Sequence, residues 1–345
     1  MQHNARMDAN KLYVVTAISN PVRYASRYKL YFEFEKRMRD AGVTLITVEV
    51  QLGDRPFCVT ERDNVNHVQL RTWSEIWHKE NALNIGVQHL SQIHPDWEYV
   101  GWFDADISFA NPAWATETIQ ALQHHMLVQP WSHTLDLKPD FAPCEWFYKT
   151  GKETLKPASW GYCHVNGVPM ANTDLGKSLA NGGKMDRSCD GYGEQGGTYY
   201  WHPGFAWAAR REAWDHLGGL IDYSILGAAD YIMGAALTGK GEVGLASWMH
   251  PNYVRWIKQW KDRADKYIQG DVGYVPGLLL HYWHGKKAQR GYKDRWRIFH
   301  DHGFDPELDL KRDSQGLYQL TDRSPGLRDG CRAYFRQRNE DSVDC

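Results

Sequence analysis

Two carboxylates, Asp104 and Asp106, directly follow an apolar run at residues 99–103 and are the side chains best placed to do chemistry. The run is short, aromatic and β-branched, which predicts a buried strand. Side chains at positions i and i+2 of an extended segment point the same way, so both carboxylates could bind one hard divalent cation. The alternative is a turn in which these acids cap a helix ahead of Asn111 and Pro112.

A third carboxylate, Asp230, follows Gly227-Ala228-Ala229 and opens a helix predicted over residues 231–237. An acid in the first turn stabilises a helix through the macrodipole. Asp230 is therefore either such a cap or a catalytic group, and its position alone leaves both interpretations open.

Two histidines, His281 and His284, end an apolar strand predicted over residues 277–285. A single histidine is usually an ordinary core or surface residue. Two at one strand end, followed by Lys286 and Lys287, favour a metal ligand beside a pyrophosphate.

The elements that must position these residues alternate between strand and helix. The apolar patterns predict a strand over 12–18, a helix over 27–38, a strand over 43–50, a helix over 73–93, the strand over 99–103, a helix over 112–124 and a strand over 126–129. This opening is typical of a nucleotide-binding half sheet, in which ligands bind at the carboxyl ends of the strands. We therefore predict an α/β fold with Asp104 and Asp106 at that edge.

Residues 130–197 break the alternation and are rich in Gly, Pro, Asn and Ser interleaved with aromatic residues, as in a binding loop or lid. They include the G-x-G-x-x-G run at 191–196. No strand precedes that run, so a hinge is favoured over a dinucleotide site. A strand over 198–209 and a helix over 211–217 follow.

Residues 250–300 are basic, because eleven Lys or Arg and four Asp give a net charge of +7. Aromatic residues are interleaved with them, as expected of a surface that contacts phosphates and stacks on rings. The alternative is an amphipathic helix whose long side chains cover an apolar face. The residues concerned are Arg255, Lys258, Lys261, Arg263, Lys266, Lys286, Lys287, Arg290, Lys293, Arg295, Arg297, Trp256, Trp260, Tyr267, Trp283, Tyr292 and Trp296.

The 345-residue chain is long enough for one large α/β domain or two smaller ones. Its net charge of -2 argues only against a wholly basic binding protein, and its sixteen Trp and nineteen Tyr serve either as core or as stacking platforms. The cysteines form no Cys-x-x-Cys pair, the N-terminus lacks an apolar signal core, and no run reaches the ~20 apolar residues of a membrane span. These features predict a soluble, cytoplasmic protein.

Five segments, in this order, resemble the GT-A family of nucleotide-sugar glycosyltransferases, in particular its family-2-like and galactosyltransferase-like branches: residues 77–86, 102–106, 204–219, 227–230 and 281–285. The resemblance implies a GT-A fold, with a Rossmann-like mixed central sheet, helices on both faces and an irregular acceptor-side region. It divides the chain into a nucleotide-sugar-binding half (1–130), an acceptor-binding and catalytic half (131–300) and a tail (301–345) that packs on the domain or is partly mobile. The tail is also similar to that of glycosyltransferase-like proteins of bacteriophages.

The same resemblance implies roles for individual residues, with Mn²⁺ or Mg²⁺ and a UDP-sugar donor as the bound groups. Asp230 would be the base of an inverting transfer, although Ala229 stands where many relatives have Glu. The metal ligands would be Asp104, Asp106, His281 and His284; the donor contacts Thr16, Ala17, Arg23, Lys79, Asn84, Asp104, Lys286, Lys287 and Arg290; and the acceptor contacts Trp201, His202, Gly204 and Trp207.

The acceptor stays open between two chemistries. The basic aromatic stretch and the phage-like tail favour DNA that carries hydroxymethylated pyrimidines, whose hydroxyl would be reached by base flipping. The Trp-rich region over 130–207 fits a saccharide or a lipid-linked glycan instead. Two other classes also remain, namely a non-catalytic sugar- or nucleic-acid-binding module and a hydrolytic zinc enzyme. The sequence does not indicate an oligomeric state.

Overall fold

The computed structural model describes residues 11–143, 148–150, 153–168, 199–291 and 295–343. The glycine-rich run at 191–196, with its predicted hinge, lies outside these ranges. None of the described helices is both long and apolar enough to cross a membrane.

The first half of the chain alternates between strands and helices. Its elements are β1 (Leu12–Ser19), α1 (Ala25–Asp40), β2 (Thr44–Leu52), β3 (His67–Thr72), α2 (Lys79–Ile93), β4 (Tyr99–Phe103), β5 (Ile107–Phe109), α3 (Trp114–Leu122), β6 (Leu127–Gln129), β7 (His133–Asp136), β8 (Tyr148–Thr150), β9 (Glu153–Ser159) and α4 (Trp160–Val165).

The second half of the chain contains further strands and most of the shorter helices. Its elements are β10 (Tyr199–His202), β11 (Ala206–Arg210), α5 (Arg211–Leu217), α6 (Ala229–Leu237), α7 (Pro251–Arg263), β12 (Val272–Tyr274), β13 (Leu278–His281), α8 (Arg295–His302), α9 (Pro306–Asp309), β14 (Leu310–Arg312), β15 (Tyr318–Leu320) and α10 (Pro325–Gln337).

Seven strands form the main sheet in the order β3-β2-β1-β4-β11-β6-β12. Strands β1 to β4 are mutually parallel, and β11 runs antiparallel to both β4 and β6. The chain continues from β1 to β2 on one side and returns to β4 on the other, so the strand order reverses between β1 and β4. A reversal of this kind opens a ligand crevice at the carboxyl ends of the two strands. Asp104 directly follows β4 at that crevice.

Helices cover both faces of the main sheet, which confirms the predicted mixed α/β architecture. Tyr13 and Val15 of β1 pack with α2 in one hydrophobic cluster, whereas the alternating Leu12 and Val14 pack with α1 in another. A period of two along a strand puts successive side chains on opposite faces, and burial of both faces explains why β1 is apolar throughout.

A second sheet has the strand order β10-β9-β7-β13-β5, with β8 beside β9. In the sequence, its strands lie between those of the main sheet or after them. Strand β13 is antiparallel to β5 and parallel to β7, and its last residue, His281, pairs with both Ile107 and Asp136. This register brings β13 next to Asp106, which immediately precedes β5. The predicted irregular region therefore contains ordered strands within its described residues 130–143, 148–150 and 153–168.

Two predicted elements differ from the structure. The helix predicted from Trp73 begins at Lys79, because tertiary hydrogen bonds hold the preceding segment in a loop: the Trp73 N–H donates to Gln319 and the Trp77 N–H to the Ile225 carbonyl. The strand predicted over 198–209 is two strands, and the chain passes between them from the second sheet into the main sheet at Pro203 and Gly204.

The C-terminal segment is part of the core. Phe304, Leu317, Tyr334 and Phe335 are buried in the same cluster as α2 and β1. These side chains attach the C-terminal segment to the same hydrophobic core as the main sheet.

Gly86 sets the distance between α2 and the sheet, and we predict that Gly86→Ala destabilises the protein by about 1 to 3 kcal/mol. A Cβ at this position would lie 2.5 Å from Cγ1 of Val15 and 2.8 Å from Cγ2 of Val48, so the helix has to move away. Urea unfolding measures the loss. Gln88→Ala, at an exposed position of the same helix, should change stability by no more than about 0.5 kcal/mol. Equal stabilities for the two variants would contradict this account of the packing.

Candidate active site

Asp106, His281 and His284 form a compact cluster at the carboxyl end of β4. Asp106 Oδ2 lies 3.1 Å from His284 Nε2 and 3.9 Å from His281 Nε2, and the two imidazole Nε2 atoms are 3.2 Å apart. The Tyr282 N–H donates to the Asp106 carbonyl at 2.8 Å, which fixes the loop after β13 against the loop after β4.

This cluster fits a divalent cation. Ligands about 2.1 Å from one cation lie about 3 Å apart when they occupy neighbouring octahedral positions, which is close to the observed spacings. The second carboxylate oxygen of Asp106, Oδ1, is buried and has no hydrogen-bond partner among the described residues. Two imidazole nitrogens and one carboxylate suit a transition metal such as Mn²⁺ or Zn²⁺ better than Mg²⁺, which prefers oxygen ligands.

Asp136 orients His281. Its Oδ1 accepts a hydrogen bond from His281 Nδ1 at 2.6 Å, and its other oxygen forms an ion pair with Lys287. A proton fixed on Nδ1 leaves Nε2 available as a ligand, which is the usual arrangement of metal-binding histidines. Burial lowers the pKa of His281 and so favours the neutral imidazole that a metal requires.

Charge balance keeps Asp106 ionised. Burial opposes ionisation, but His284, His281 and Arg290 together hold the pKa of Asp106 well below its ordinary value. The cluster therefore presents an anionic oxygen beside two imidazoles.

The structure places Asp104 outside this cluster. Its carboxylate forms an ion pair with Lys79 at the start of α2. Burial works against the charge on Lys79, but Asp104, Glu80 and Asp230 together raise its pKa. Of the two carboxylates predicted to share a cation, one faces the histidines and the other faces a lysine.

Asp230 borders a narrow cleft next to the metal cluster. Its Oδ1 accepts the Tyr231 N–H at 2.8 Å, and a Cβ on Gly204 would lie 2.9 Å from its Oδ2. Any larger residue at position 204 would therefore push Oδ2 of Asp230 out of its present position. The cleft adjoins the histidines through Phe205, whose ring centroid is 4.7 Å from that of His281. Its lining consists of Lys79, Glu80, Trp102, Gly204, Phe205, Trp207, Leu220, Asp230 and Met233.

Backbone strain marks the start of α6, on which Asp230 lies. Gly227 and Ala228 both have left-handed φ values, +83° and +70° respectively. Such a conformation is costly for Ala and tends to persist where the surrounding structure requires it, often at functional sites. Ala228, not Asp230, occupies the N-cap position of this helix.

The remaining predicted donor contacts fall into two groups. Lys79 and Arg290 lie beside the acidic residues of the site, and Lys287 reaches Asp136. In the other group, two side chains make hydrogen bonds within the protein: Thr16 donates to the Phe103 carbonyl at 2.8 Å, and Asn84 bonds both the N–H and the carbonyl of Leu220. Ala17 and Lys286 are half-buried, and Arg23 is exposed in a turn.

The predicted acceptor contacts also divide. Gly204 and Trp207 line the cleft with Asp230. His202 stacks on Phe205 with ring centroids 4.0 Å apart, and burial lowers its pKa to about 3. Trp201 is buried edge-on against Trp160.

Within residues 250–291 and 295–300, most of the basic aromatic stretch is engaged inside the protein. Trp260 and Trp296 are buried in the core, and Tyr267 stacks on His216. Seven of the eleven basic residues have acidic or carbonyl partners within the protein, which fits the alternative interpretation of this stretch; they are Arg255, Lys261, Arg263, Lys287, Arg290, Arg295 and Arg297.

Three acids of the site region carried no sequence signal. Asp136 lies 145 residues before His281, Glu80 is one residue in a helix, and Glu340 lies in the tail. Burial raises the pKa of the Glu80 carboxyl to about 7, with Asp230 adding to the effect against the opposing influence of Lys79.

We predict that Glu80→Gln flattens the pH dependence of stability between about pH 4.5 and about pH 7. In this window the folded protein keeps a proton on Glu80 that the unfolded chain has released, so wild-type stability falls as the pH rises. The loss is at most about 3 kcal/mol, and a neutral Gln does not incur it. Urea unfolding in metal-free buffer at about pH 5 and about pH 8 measures the difference.

Glu242→Gln is the control for this experiment, because the Glu242 side chain is 74% exposed and should leave the wild-type pH dependence in place. Parallel pH profiles for wild type and Glu80→Gln would show that Glu80 does not hold the proton.

No family model matches this chain, and no curated protein matches it. Among solved structures, it is similar to two of Drosophila β1,4-galactosyltransferase 7, one of a mutant in complex with manganese, UDP-Gal and xylobiose and one of the catalytic domain in complex with xylobiose. Each is 10% identical, and the alignment covers 92% of this chain and 99% of the other, with TM-scores of 0.36 and 0.37. Scores this low assign no residue roles, so the functional argument depends on the site geometry.

Proposed function

We propose that this protein is a metal-dependent glycosyltransferase that moves a sugar from a UDP-sugar to the hydroxyl of a saccharide. One observation carries the proposal: a two-histidine, one-carboxylate cluster at the strand-order reversal adjoins a cleft that holds a separate carboxylate, Asp230. Transfer from a nucleotide sugar needs both parts, one for the departing diphosphate and one for the attacking hydroxyl.

The metal cluster would serve the leaving group. A divalent cation bound by Asp106, His281 and His284 would neutralise the charge that develops on the diphosphate. We propose Mn²⁺ because the donor set contains two imidazoles. Lys79 and Lys287, which the structure holds against Asp104 and Asp136, are the side chains able to turn toward the phosphates.

Asp230 would serve the acceptor. Its Oδ2 lies at the glycine-lined wall of the cleft, where it can accept the proton of an attacking hydroxyl. Attack assisted by a base on the side opposite the leaving group inverts the anomeric centre, so we propose an inverting reaction. Glu80 is a second buried carboxyl on the same cleft and provides a further hydrogen-bonding group for the acceptor.

The chemistry of the lining of this cleft suits a saccharide better than DNA. Trp102 and Trp207 contribute aromatic rings to it. Asp230 and Glu80 contribute carboxyl groups that can hydrogen-bond sugar hydroxyls. In the stretch that favoured hydroxymethylated DNA, seven of the eleven basic residues pair with carboxylates or backbone carbonyls inside the protein, as described above.

We predict that Asp106→Ala and Asp230→Asn each lower UDP release by about 100- to 10,000-fold. The first change removes a metal ligand and the second removes the proton acceptor. Turnover is measured with Mn²⁺ and a panel of UDP-sugars and oligosaccharides. Asp265→Asn, which breaks only a surface pair with Lys261, should retain wild-type turnover.

Unchanged turnover in both site variants would overturn the assignment of the site. Binding of UDP-sugar without any release would indicate a non-catalytic binding module. Zn²⁺-dependent hydrolysis that needs no nucleotide would indicate a hydrolytic enzyme.

We predict that product masses distinguish the two acceptor chemistries. Oligosaccharides should gain one hexose or pentose, whereas DNA containing hydroxymethylcytosine should gain none. Unmodified DNA is the matched control for the second arm. A sugar mass on hydroxymethylated DNA alone would contradict the saccharide proposal while leaving the transferase proposal intact.

A further inference from the structure

The C-terminal segment, residues 338–342, reaches the back of the metal cluster. Glu340 is 1% exposed, and its Oε2 lies 3.8 Å from Nδ1 of His284. That Nδ1 atom is buried and has no hydrogen-bond partner among the described residues. The ring atom of His284 that points away from Asp106 therefore faces a carboxylate.

Two arginines hold Glu340 in this position. Arg27 of α1 donates to both carboxylate oxygens, and its bond from Nη2 to Oε1 is 2.7 Å long. Arg338 Nε donates to Oε1 at 2.5 Å. Two guanidinium groups on one buried carboxylate fix its orientation as well as its charge.

The rest of the segment is tied to the same place. Asp341 accepts the N–H groups of Ala25 and Ser26 at 3.0 and 2.8 Å, and Trp283 Nε1 donates to the Ser342 carbonyl at 2.6 Å. Gly285, next to His284, has a φ of +85°, and a Cβ there would lie 2.8 Å from the Asn339 carbonyl oxygen. The backbone at Gly285 and the backbone at Asn339 therefore lie in close contact, next to His284.

His281 shows the completed form of the arrangement. Its Nδ1 already donates to Asp136 at 2.6 Å while its Nε2 faces the metal position. For His284 the same pairing requires the 3.8 Å separation to close by about 1 Å, to the length of an ordinary N–H···O bond.

We propose that Glu340 is a positioning residue for metal binding: it accepts the Nδ1 proton of His284 and so directs Nε2 to the cation. The inference rests on the metal site of the proposed function, but not on the identity of the sugar or the acceptor. Ligating histidines usually donate their other ring N–H to such a partner, and loss of the partner typically weakens metal binding by about 10- to 100-fold.

We predict that Glu340→Gln weakens Mn²⁺ binding by about 10- to 100-fold, as measured by calorimetric titration of the metal-free full chain. Asp341→Asn is the matched control, because it removes the neighbouring carboxylate that caps α1 without facing His284; it should bind Mn²⁺ like wild type. Melting temperatures in chelator report how far each change loosens the segment.

Equal Mn²⁺ affinity in wild type and Glu340→Gln would overturn the proposal, as would equal weakening by Asp341→Asn. If wild type itself binds no Mn²⁺, the metal site of the proposed function fails, and the role of Glu340 fails with it. Affinity that falls only in Glu340→Gln supports the proposal even if no sugar is transferred.

A measurement on the wild-type protein covers the case in which Glu340→Gln does not fold. Correlation spectra of the histidine ring nitrogens, recorded with Zn²⁺ as a diamagnetic probe, should show His284 protonated at Nδ1 with slow exchange. Assignment uses the signal lost in His284→Asn. A proton found on Nε2 of His284 in the metal-loaded protein would overturn the proposal.

Discussion

The candidate site depends on keeping the Asp106 carboxylate charged although it lies between two buried imidazoles and one of its oxygens is buried. A buried charge is tolerated only where neighbouring groups compensate it, and here the compensation extends outward in layers. Each histidine faces an acid, Asp136 or Glu340, and each of those acids faces a cation. Lys287 serves Asp136, and Arg27 and Arg338 serve Glu340. Asp136 and Glu340 therefore each have a cationic partner, and Arg290 adds positive charge near Asp106.

The topology explains why these layers come from distant parts of the chain. Strand β4 delivers Asp106 at the reversal of the main sheet, and β13 of the second sheet lies against β5 and β7, so that His281 meets Ile107 and Asp136 in register. The chain crosses from one sheet to the other at Pro203 and Gly204, beside the cleft of Asp230. The Asp104 N–H donates to the Phe205 carbonyl at this crossing, which couples the two sheets.

The parts that sequence predicts well are those encoded by local periodicity. The apolar runs of β1, β2 and β4 and the acids and histidines at strand ends can be identified without a partner, and the structure brings Asp106, His281 and His284 together. The parts that it misses depend on partners far along the chain. The start of α2 is displaced to Lys79 because preceding N–H groups donate hydrogen bonds to Ile225 and Gln319. Asp136 and Glu340 are single acids whose partners no spacing rule indicates.

In the basic stretch the sequence carries a strong signal, a cluster of cationic and aromatic residues, but the structure explains that cluster by packing. Long cationic side chains and aromatic rings occur together because Arg and Lys stems cover apolar surface while their charges pair outside it. Arg295 lies over Trp296 and also donates to the Leu226 carbonyl, so the side chain that suggested a phosphate contact supports the loop before α6.

Asp341 caps α1 and Glu340 binds Arg27, residues separated by 313 positions in the chain. During synthesis, the first strands and α1 leave the ribosome long before Glu340 and Asp341 are made. Until then the first N–H groups of α1 and the charge of Arg27 lack these two acidic partners. Contacts of such high sequence separation form late in folding because loop closure must precede them. A nascent chain can therefore assemble its sheet before it can complete the surroundings of His284.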